Sequence, residues 1–354
     1  MRKYVIRTET GEAFNAAGKA RRDADAIAVS AGFEPFEFAG ERTAYGSLRG
    51  ATRLALDGIR NWRKLMRTAE SGSLVLIQYP HYPIKTAAMA RYMIPRARRK
   101  KGIRFIALVH DLDSLRGQDT KGAAYSDRRV LPLFDAVICH NEKMKAQLAA
   151  QGIPAGKLIP LGLFDYLTDA ETFERKPKDG FAIAGNLNPR KCGYVLAWIR
   201  NAGIRRPVHL YGKDLNREDV PAGVTLHGAI AAEELPGVIE GGFGIVWDGP
   251  SAETCEGKNG NYVRYNNPHK LSLYLVSGMP VIVWDEAAVA GFVKEHGVGL
   301  TVGSLMEAEE KAGKVSAEEY KRMARKAREI GEKLRKGEYL RKAIQNSEFI
   351  IHNS

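Results

Sequence analysis

Two short runs in the second half of the chain share a spacing of residue types that suits a bound anion. The letters NPRK occupy 188–191 and the letters NPHK occupy 267–270. Each run predicts a helix start, with Asn as the N-cap, Pro in the first helical position and a cation in the first turn. A cation is unfavourable at this positively polarised end unless an anion binds there. We therefore expect Lys270, with Arg190 or Lys191, to bind a diphosphate, although either run alone also fits an ordinary cap with a solvated lysine.

Other polar or glycine residues of the same half directly follow apolar segments. Asn186 follows the segment FAIAG, and its amide could donate to a phosphate or to a sugar hydroxyl. Tyr211 and Gly212 end the segment VHLYG, and Gly228 and Ile230 come soon after the segment VTL. Backbone groups at these two places could read the edge of a nucleobase, because glycine permits the close approach of a ligand. Roles in turns or in the core fit these four residues equally well.

A long polar segment, 248–265, precedes the second run. Segments of this length between regular elements are usually functional. Asp248 and Glu253 could accept hydrogen bonds from sugar hydroxyls. We therefore expect this segment to lie beside the helix start that carries Lys270.

In the first half, His110, Asp111 and Asp113 follow the apolar segment RFIALV. His110 or Asp111 could act as a general base, because an imidazole or a carboxylate can take a proton from a hydroxyl group. Asp111 and Asp113 could instead hold a divalent metal ion, as in metal-dependent sugar-nucleotide transferases, or Asp113 with Ser114 could cap a helix. His81, in the run QYPHYP, has a weaker claim to a role in the same site.

Short apolar segments alternate with amphipathic ones along the chain, and this alternation predicts doubly wound α/β units with parallel sheets. The predicted strands are 4–7, 33–38, 73–79, 104–109 and 135–139 in the first half and 181–184, 208–211, 224–226, 243–247 and 281–284 in the second. The predicted helices are 16–31, 51–69, 85–101, 142–151, 188–201, 231–240, 268–277 and 287–295.

The elements group into two domains. We predict a first domain over 1–160, a linker over 161–179 that is rich in Pro, Gly and charge, and a second domain over 180–316. The remaining residues, 317–354, predict a long charged helix that packs back on the first domain, with a break near Gly331 or Gly337. Two such domains usually face a cleft, and ligands of parallel sheets bind at the carboxyl ends of the strands.

The charge is distributed unevenly over the 354 residues. Residues 1–177 carry 30 basic and 19 acidic side chains, whereas residues 178–354 carry 24 and 22. The segments 49–67 and 91–104 are the most basic. Nucleic acid, an anionic membrane surface or an acceptor that carries phosphate would each fit this surplus, and a solvated helix face also explains part of it.

Several classes of protein are disfavoured by what the sequence lacks. It has no phosphate-binding P-loop, no G-x-G-x-x-G after a strand and no G-x-S-x-G elbow, which argues against nucleoside triphosphatases, dinucleotide oxidoreductases and α/β hydrolases. Its three cysteines are far apart, so neither a disulfide framework nor a zinc-binding spacing is indicated. No segment approaches a membrane span. We expect a soluble protein in the reducing cytoplasm, attached at most to a membrane surface.

The segment NGNYVRYNNPHKLSLYLVSGMPVIVWDEAAVAGFVKEHGVGLTV, at 259–302, closely resembles a family of bacterial glycosyltransferases. This family contains β-1,6-galactofuranosyltransferases of polysaccharide assembly and the streptococcal glucosyltransferase 3. The segments IVWDGPSAETCEG, FAIAGNL, QYP and HDLDSLR resemble the same family.

The resemblance implies a GT-B architecture, in which two Rossmann-like domains face a cleft, the C-terminal domain binds a nucleotide-sugar and the N-terminal domain binds the acceptor. It implies no essential metal ion and no other cofactor. The residues that it implicates are Asn266, Asn267 and Lys270 at the diphosphate and sugar of the donor, Asn186 and Arg190 near the phosphates, Tyr211 and Gly212 near the nucleoside, and Asp248 and Gly249 by the transferred sugar. The segment 8–14, with Thr10 and Gly11, would face the acceptor and the diphosphate.

The expected activity is the transfer of galactofuranose or glucose from a UDP-sugar to a saccharide acceptor, without metal and with inversion, in the assembly of a surface polysaccharide or a glycoprotein glycan. A lipid-linked acceptor at the inner face of the membrane would suit the basic first half, and a homo-oligomer is compatible with the sequence. Two alternatives stay open: a metal-dependent transferase that uses Asp111 and Asp113, and a non-enzymatic basic protein that binds nucleic acid or membrane.

Overall fold

The computed structural model describes residues 1–7, 16–38, 48–80, 87–116 and 123–353. The chain divides into two compact units, each built around its own sheet. The N-terminal unit holds residues 1–7, residues 21–162 and the chain from Leu340 onward, and the C-terminal unit holds residues 16–20 and Leu163–Tyr339.

The N-terminal unit contains a six-stranded parallel sheet in the order β2-β1-β3-β4-β5-β6. The strands are β1 (Lys3–Arg7), β2 (Glu34–Glu37), β3 (Leu74–Tyr79), β4 (Arg104–Val109), β5 (Ala136–Cys139) and β6 (Leu158–Pro160). The helices are α1 (Ala16–Ser30), α2 (Leu48–Thr68), α3 (Ala87–Lys101), α4 (Ala123–Val130) and α5 (Glu142–Ala150). Strand β3 is buried along its whole length, as expected for a central strand covered on both faces.

The C-terminal unit contains a second six-stranded parallel sheet, in the order β12-β11-β10-β7-β8-β9. The strands are β7 (Phe181–Asn186), β8 (Val208–Lys213), β9 (Val224–Gly228), β10 (Phe243–Val246), β11 (Val281–Trp284) and β12 (Gly299–Val302). The helices are α6 (Pro189–Asn201), α7 (Leu235–Val238), α8 (Gly257–Tyr262), α9 (His269–Val276), α10 (Ala290–His296), α11 (Ala308–Lys314), α12 (Ala317–Arg335) and α13 (Glu338–His352). The last of these belongs to the N-terminal unit from Leu340 onward.

Several predicted elements differ from the observed ones. The predicted helix 231–240 is reduced to the single turn α7, which contains a proline and a glycine. The segment 248–265 is not a continuous loop, because it contains α8. This helix was not predicted, since its first four residues, GKNG, include two glycines and an asparagine, which have low helix propensity. Strands β6 and β12 lie outside all of the predicted strands. The predicted long terminal helix is two helices, and the break falls at Gly337, which has a φ of 71°.

Gly331 lies inside α12 and is a point of close approach to α9 rather than a helix break. A Cβ atom built on Gly331 would lie 2.5 Å from the carbonyl oxygen of Leu275. Arg335 of the same helix donates from Nη2 to the carbonyl oxygen of Val276, at 2.8 Å. Helix α12 therefore packs against α9 at backbone contact distance and satisfies one of its terminal carbonyl groups.

Replacing Gly331 by alanine should lower the free energy of unfolding by about 1–3 kcal/mol, because the added Cβ would collide with backbone that cannot move aside. The matched control is Gly291→Ala in α10, where a Cβ atom would meet nothing within 4 Å. That substitution should raise stability by up to about 1 kcal/mol, since alanine is the better helix former. Urea denaturation of both variants gives the comparison, and equal effects of the two substitutions would contradict the packing described here.

Candidate functional site

The carboxyl ends of four adjacent strands bring the predicted donor-site residues to one edge of the C-terminal sheet. The strands lie in the order β10-β7-β8-β9. Asp248 follows β10, Asn186 ends β7, Gly212 lies near the end of β8, and Gly228 ends β9. These four residues therefore lie along a single edge, where ligands of parallel sheets bind.

Helix α9 begins one residue later than predicted. Its N-cap is Pro268, with φ −63° and ψ 128°, and no side chain caps the helix. Asn267 is therefore not the capping residue; it is buried, with 4% of its surface exposed. The preceding Asn266 has a buried Oδ1 atom with no hydrogen-bond partner among the described residues. A ligand at this helix start would find both the uncapped helix and that amide oxygen.

Lys270, in the first turn of α9, is held by two acceptors that follow β10. Its Nζ atom donates to the carbonyl oxygen of Trp247 at 2.8 Å and lies 3.6 Å from Oδ1 of Asp248. Burial acts to lower the pKa of Lys270, but the Asp248 carboxylate and the nearby Cys192 thiol outweigh burial, and the pKa is raised. The ammonium group therefore stays charged at the positive end of a helix, which is the state that an anion requires.

Helix α6 starts at Pro189, as the first run predicts, and its backbone departs from helical geometry at Cys192. Asn186 accepts from the backbone N–H of Asn188 at 2.8 Å and donates to Asp214 at 3.1 Å. The side chains of Arg190 and Lys191 lie outside the described residues, so the structure gives only the place of their backbone in the first turn of this helix.

The loop after β10 packs against α6 through backbone. Tyr194 donates its N–H to the carbonyl oxygen of Gly249 at 3.3 Å. A side chain at Gly249, which has a φ of 117°, would lie 2.6 Å from the carbonyl oxygen of Glu256. The loop that carries Asp248 is thus fixed against α6 on one side and against the segment before α8 on the other.

Of the residues predicted to lie near a nucleoside, Tyr211 and Ile230 lie in or against the hydrophobic core of the unit, whereas Gly228 lies at the end of β9. The ring of Tyr211 is buried and stacks on His227, and its hydroxyl accepts from the N–H of Glu240 at 2.8 Å. Ile230 packs against the core of the unit. Gly228 has a φ of 79° and nothing within 4 Å of where its Cβ would lie. The backbone near Gly228, rather than the side chain of Tyr211, is open to a ligand.

In the N-terminal unit, His110 follows β4 and is oriented by a relay of hydrogen bonds. Gln78 donates from Nε2 to Oδ1 of Asp25 at 2.7 Å and to the carbonyl oxygen of Arg21 at 3.1 Å. Its Oε1 atom therefore faces Nε2 of His110, 2.6 Å away. Because both groups beyond Gln78 are acceptors, His110 donates from Nε2, and Nδ1 carries the lone pair of the neutral ring. Burial raises the pKa of Asp25 to about 6.

The remaining residues predicted for the first half are less well placed for chemistry. Oδ2 of Asp111 lies 3.3 Å from Nη1 of Arg116, so this carboxylate already has a cationic neighbour. Asp113 lies in the turn that follows, and no helix begins there. Thr10, Gly11 and His81 lie outside the described residues.

Three groups of these sites had not been predicted. Gln78 had a signal, because it is the single amide in the buried strand LVLIQY. Asp25 lies 53 positions away from Gln78, and no local pattern connects the two residues. The carbonyl oxygen of Trp247 has no sequence signal, since every residue carries the same group.

Two α/β units, each built around its own six-stranded parallel sheet, have the fold of glycosyltransferases of the GT-B class. The family described as Glucosyltransferase 3-like matches the chain twice, with its N-terminal domain over residues 2–163 and its C-terminal domain over residues 181–347. The chain belongs to this glucosyltransferase 3-like family. The resemblance seen in the sequence and the GT-B fold predicted from it are thereby confirmed.

Individual relatives agree with this assignment. The chain is 34% identical to β-1,6-galactofuranosyltransferase WbbI of Escherichia coli (strain K12) over 68% of its own length and 70% of the relative. It is 24% identical to glucosyltransferase 3 of Streptococcus gordonii over 92% of each chain. Among solved structures, sucrose-phosphate synthase from Thermosynechococcus elongatus covers all of both chains with a TM-score of 0.72 at 13% identity, which is a likeness of fold.

Proposed function

We propose that the protein transfers a hexosyl unit from a UDP-sugar to a saccharide acceptor by a single displacement with inversion and without a metal ion. The observation that carries the proposal is the charged, half-buried Lys270 at the uncapped start of α9, beside Asp248. The names of the two relatives specify galactofuranosyl transfer for one and glucosyl transfer for the other. Galactofuranose and glucose are therefore the sugars proposed here.

The donor diphosphate would bind where α9 begins. The backbone N–H groups of His269 and Lys270, at the start of this helix, and the ammonium group of Lys270 would donate to the phosphate oxygens. Asn266, whose Oδ1 is buried without a partner among the described residues, would accept from a sugar hydroxyl. Backbone groups near Gly212 and Gly228 would contact the nucleoside, and Asp248 and Gly249 would lie by the transferred sugar.

His110 would serve as the general base, in preference to Asp111. Its Nε2 atom donates to Oε1 of Gln78, so Nδ1 carries the lone pair. Asp111, in contrast, is paired with Arg116. Nδ1 would take the proton of the acceptor hydroxyl as the oxygen bonds to the anomeric carbon. The bond from that carbon to the diphosphate breaks, and UDP leaves with its charge stabilised by Lys270 and the helix N–H groups.

The reaction would need no divalent cation, because Lys270 and the helix start supply the positive charge that a metal ion otherwise provides. The pair Asp111 and Asp113 fits a metal site poorly. Arg116 already neutralises Asp111, whose Oδ2 atom lies 3.3 Å from Nη1 of the arginine.

A basic face of the N-terminal unit would contact an anionic membrane that presents the acceptor. Helices α2 and α3 expose arginine and lysine side chains together with Leu56 and Tyr92, which are 51% and 58% exposed. The exposed cations are Arg60, Arg63, Lys64, Arg67, Arg91, Arg99 and Lys100. Within the described residues, no helix is long and apolar enough to cross a bilayer. Such a contact would be peripheral, at the cytoplasmic face of the membrane.

Lys270→Ala should weaken UDP binding about 10- to 100-fold, because a hydrogen bond to a charged group contributes about 1.5–3 kcal/mol. Turnover should fall about 100-fold or more, since the charge of the leaving diphosphate grows in the transition state. Thermal shift and calorimetry with UDP, GDP and ADP, with and without EDTA, measure the binding. Lys294→Ala, an exposed lysine of α10, is the matched control. Unchanged UDP affinity in a folded Lys270→Ala protein would remove the donor assignment.

His110→Ala should lower kcat by about 10²–10⁴-fold with UDP affinity retained, since general-base catalysis contributes about this much. Asp111→Asn keeps the shape of its side chain and should have a much smaller effect. The measurement is steady-state turnover with a saccharide acceptor, alongside UDP binding. A larger loss in Asp111→Asn than in His110→Ala would assign the base to the carboxylate instead.

The double variant Arg63→Glu/Lys64→Glu should bind vesicles that contain phosphatidylglycerol at least 10-fold more weakly than the unaltered protein, because each cation near an anionic surface contributes about 1 kcal/mol. The control reverses two exposed cations of α12, Lys321→Glu/Arg322→Glu. Co-sedimentation with anionic and with purely zwitterionic vesicles makes the comparison. Equal binding to both vesicle types would exclude this membrane contact.

A further inference from the structure

A cluster of three potential metal ligands lies at β8, β9 and the segment before β10 of the C-terminal unit, and none of the three has been assigned to the sugar donor. We propose that His209, His227 and Glu240 bind a single divalent transition-metal ion of the zinc class. One nitrogen of each histidine and one carboxylate oxygen of Glu240 all lie within 4.8 Å of one another. The proposal is independent of the sugar, the donor and the catalytic base proposed above.

The distances suit one ion. Nδ1 of His209 and Nε2 of His227 are 3.1 Å apart, and Nδ1 of His209 lies 3.9 Å from Oε2 of Glu240. Tetrahedral zinc with bonds of about 2.0–2.1 Å separates neighbouring ligand atoms by roughly 3.3 Å. The two observed separations bracket this value, so a small rotation of the exposed Glu240 side chain would complete the three protein ligands. Water would fill the fourth position.

Tyr211 fixes two of the three ligands in place. Its ring stacks on the ring of His227 with centroids 4.3 Å apart and planes 4° from parallel. Its hydroxyl accepts from the backbone N–H of Glu240. The side chain of Tyr211 is itself buried. A rigid support for the ligands is characteristic of metal sites, where neighbouring groups orient the coordinating rings.

The strand register explains how two histidines meet. Leu210 pairs with Leu226, but Tyr211 pairs with Gly228, so His227 is the extra residue of a bulge in β9. A bulge redirects a side chain and increases the local twist of the strand. In the regular part of the ladder, the residue that pairs with His209 is Thr225. The bulge two residues further along β9 brings His227 toward His209 as well.

The chemistry of the three ligands indicates which class of metal ion would bind. Two imidazoles and one carboxylate suit zinc and its neighbours in the first transition row, whereas magnesium and calcium prefer oxygen ligands throughout. The ion would join β8, the edge strand β9 and the segment before β10. It would thus act as a structural clamp on the edge of the sheet.

The test uses the full chain, freed of metal with EDTA and titrated with Zn²⁺ in a calorimeter and in thermal unfolding. We expect one equivalent to bind and the unfolding midpoint to rise by about 5 °C or more at saturating zinc, with no shift from Mg²⁺. His227→Gln and Glu240→Gln should each weaken zinc binding at least 10-fold and remove the shift. Glu240 is exposed, so its variant tests the ligand without disturbing the core.

Two controls separate this cluster from other zinc ligands. His296→Gln, in α10, removes a histidine remote in sequence from the three and should leave zinc binding unchanged. Co²⁺ in place of zinc should give visible bands of a nitrogen and oxygen site without the near-ultraviolet band of a cobalt–thiolate bond, which would report binding by a cysteine. Absence of zinc binding, a thiolate band, or unchanged affinity in both ligand variants would overturn the proposal and leave the contact as a hydrogen bond between two histidines.

Discussion

A charged lysine at the positive end of a helix is the constraint on which the C-terminal unit depends. Lys270 would be repelled by the start of its own helix, and it is kept there by the carbonyl oxygen of Trp247 and the carboxylate of Asp248. The helix is fixed in turn by α12, whose Gly331 allows backbone contact and whose Arg335 satisfies a carbonyl group at its far end. Packing far from the edge of the sheet therefore sets the position of one ammonium group.

The two candidate sites orient their key groups by the same means. In each unit a nitrogen donor meets one backbone carbonyl and one carboxylate: Lys270 meets Trp247 and Asp248, and Gln78 meets Arg21 and Asp25. Carbonyl and carboxylate oxygens only accept hydrogen bonds, so the nitrogen of Lys270 or of the Gln78 amide must be the group that faces them. In the first case the result is a fixed cation, and in the second it is a fixed tautomer of His110. Local hydrogen-bond chemistry thus decides what each site offers to a ligand.

The sequence predicts those features that are local. Strands β4 and β11 were predicted with their observed bounds because continuous apolar runs between turn residues identify buried strands. Lys270 was predicted because its charge conflicts with its position in a helix. Strand β12 was missed because Gly299 and Thr301 interrupt its apolar character, and the link from Asp25 to Gln78 was missed because it joins residues distant in the chain. The bulge at His227 depends on pairing between strands, which the order of residues does not specify.

The N-terminal unit combines residues from both ends of the chain, since it contains β1 and residues 21–162 together with α13 from Leu340 onward. Lys3 of the first strand pairs with Glu348 of that last helix at 2.6 Å, and Arg341 donates to Ser30. During translation the N-terminal sheet leaves the ribosome first but lacks this helix until the residues from Leu340 onward have been synthesised. The half of the protein that is synthesised first is therefore completed last, after the C-terminal unit has had all of its own residues available to fold.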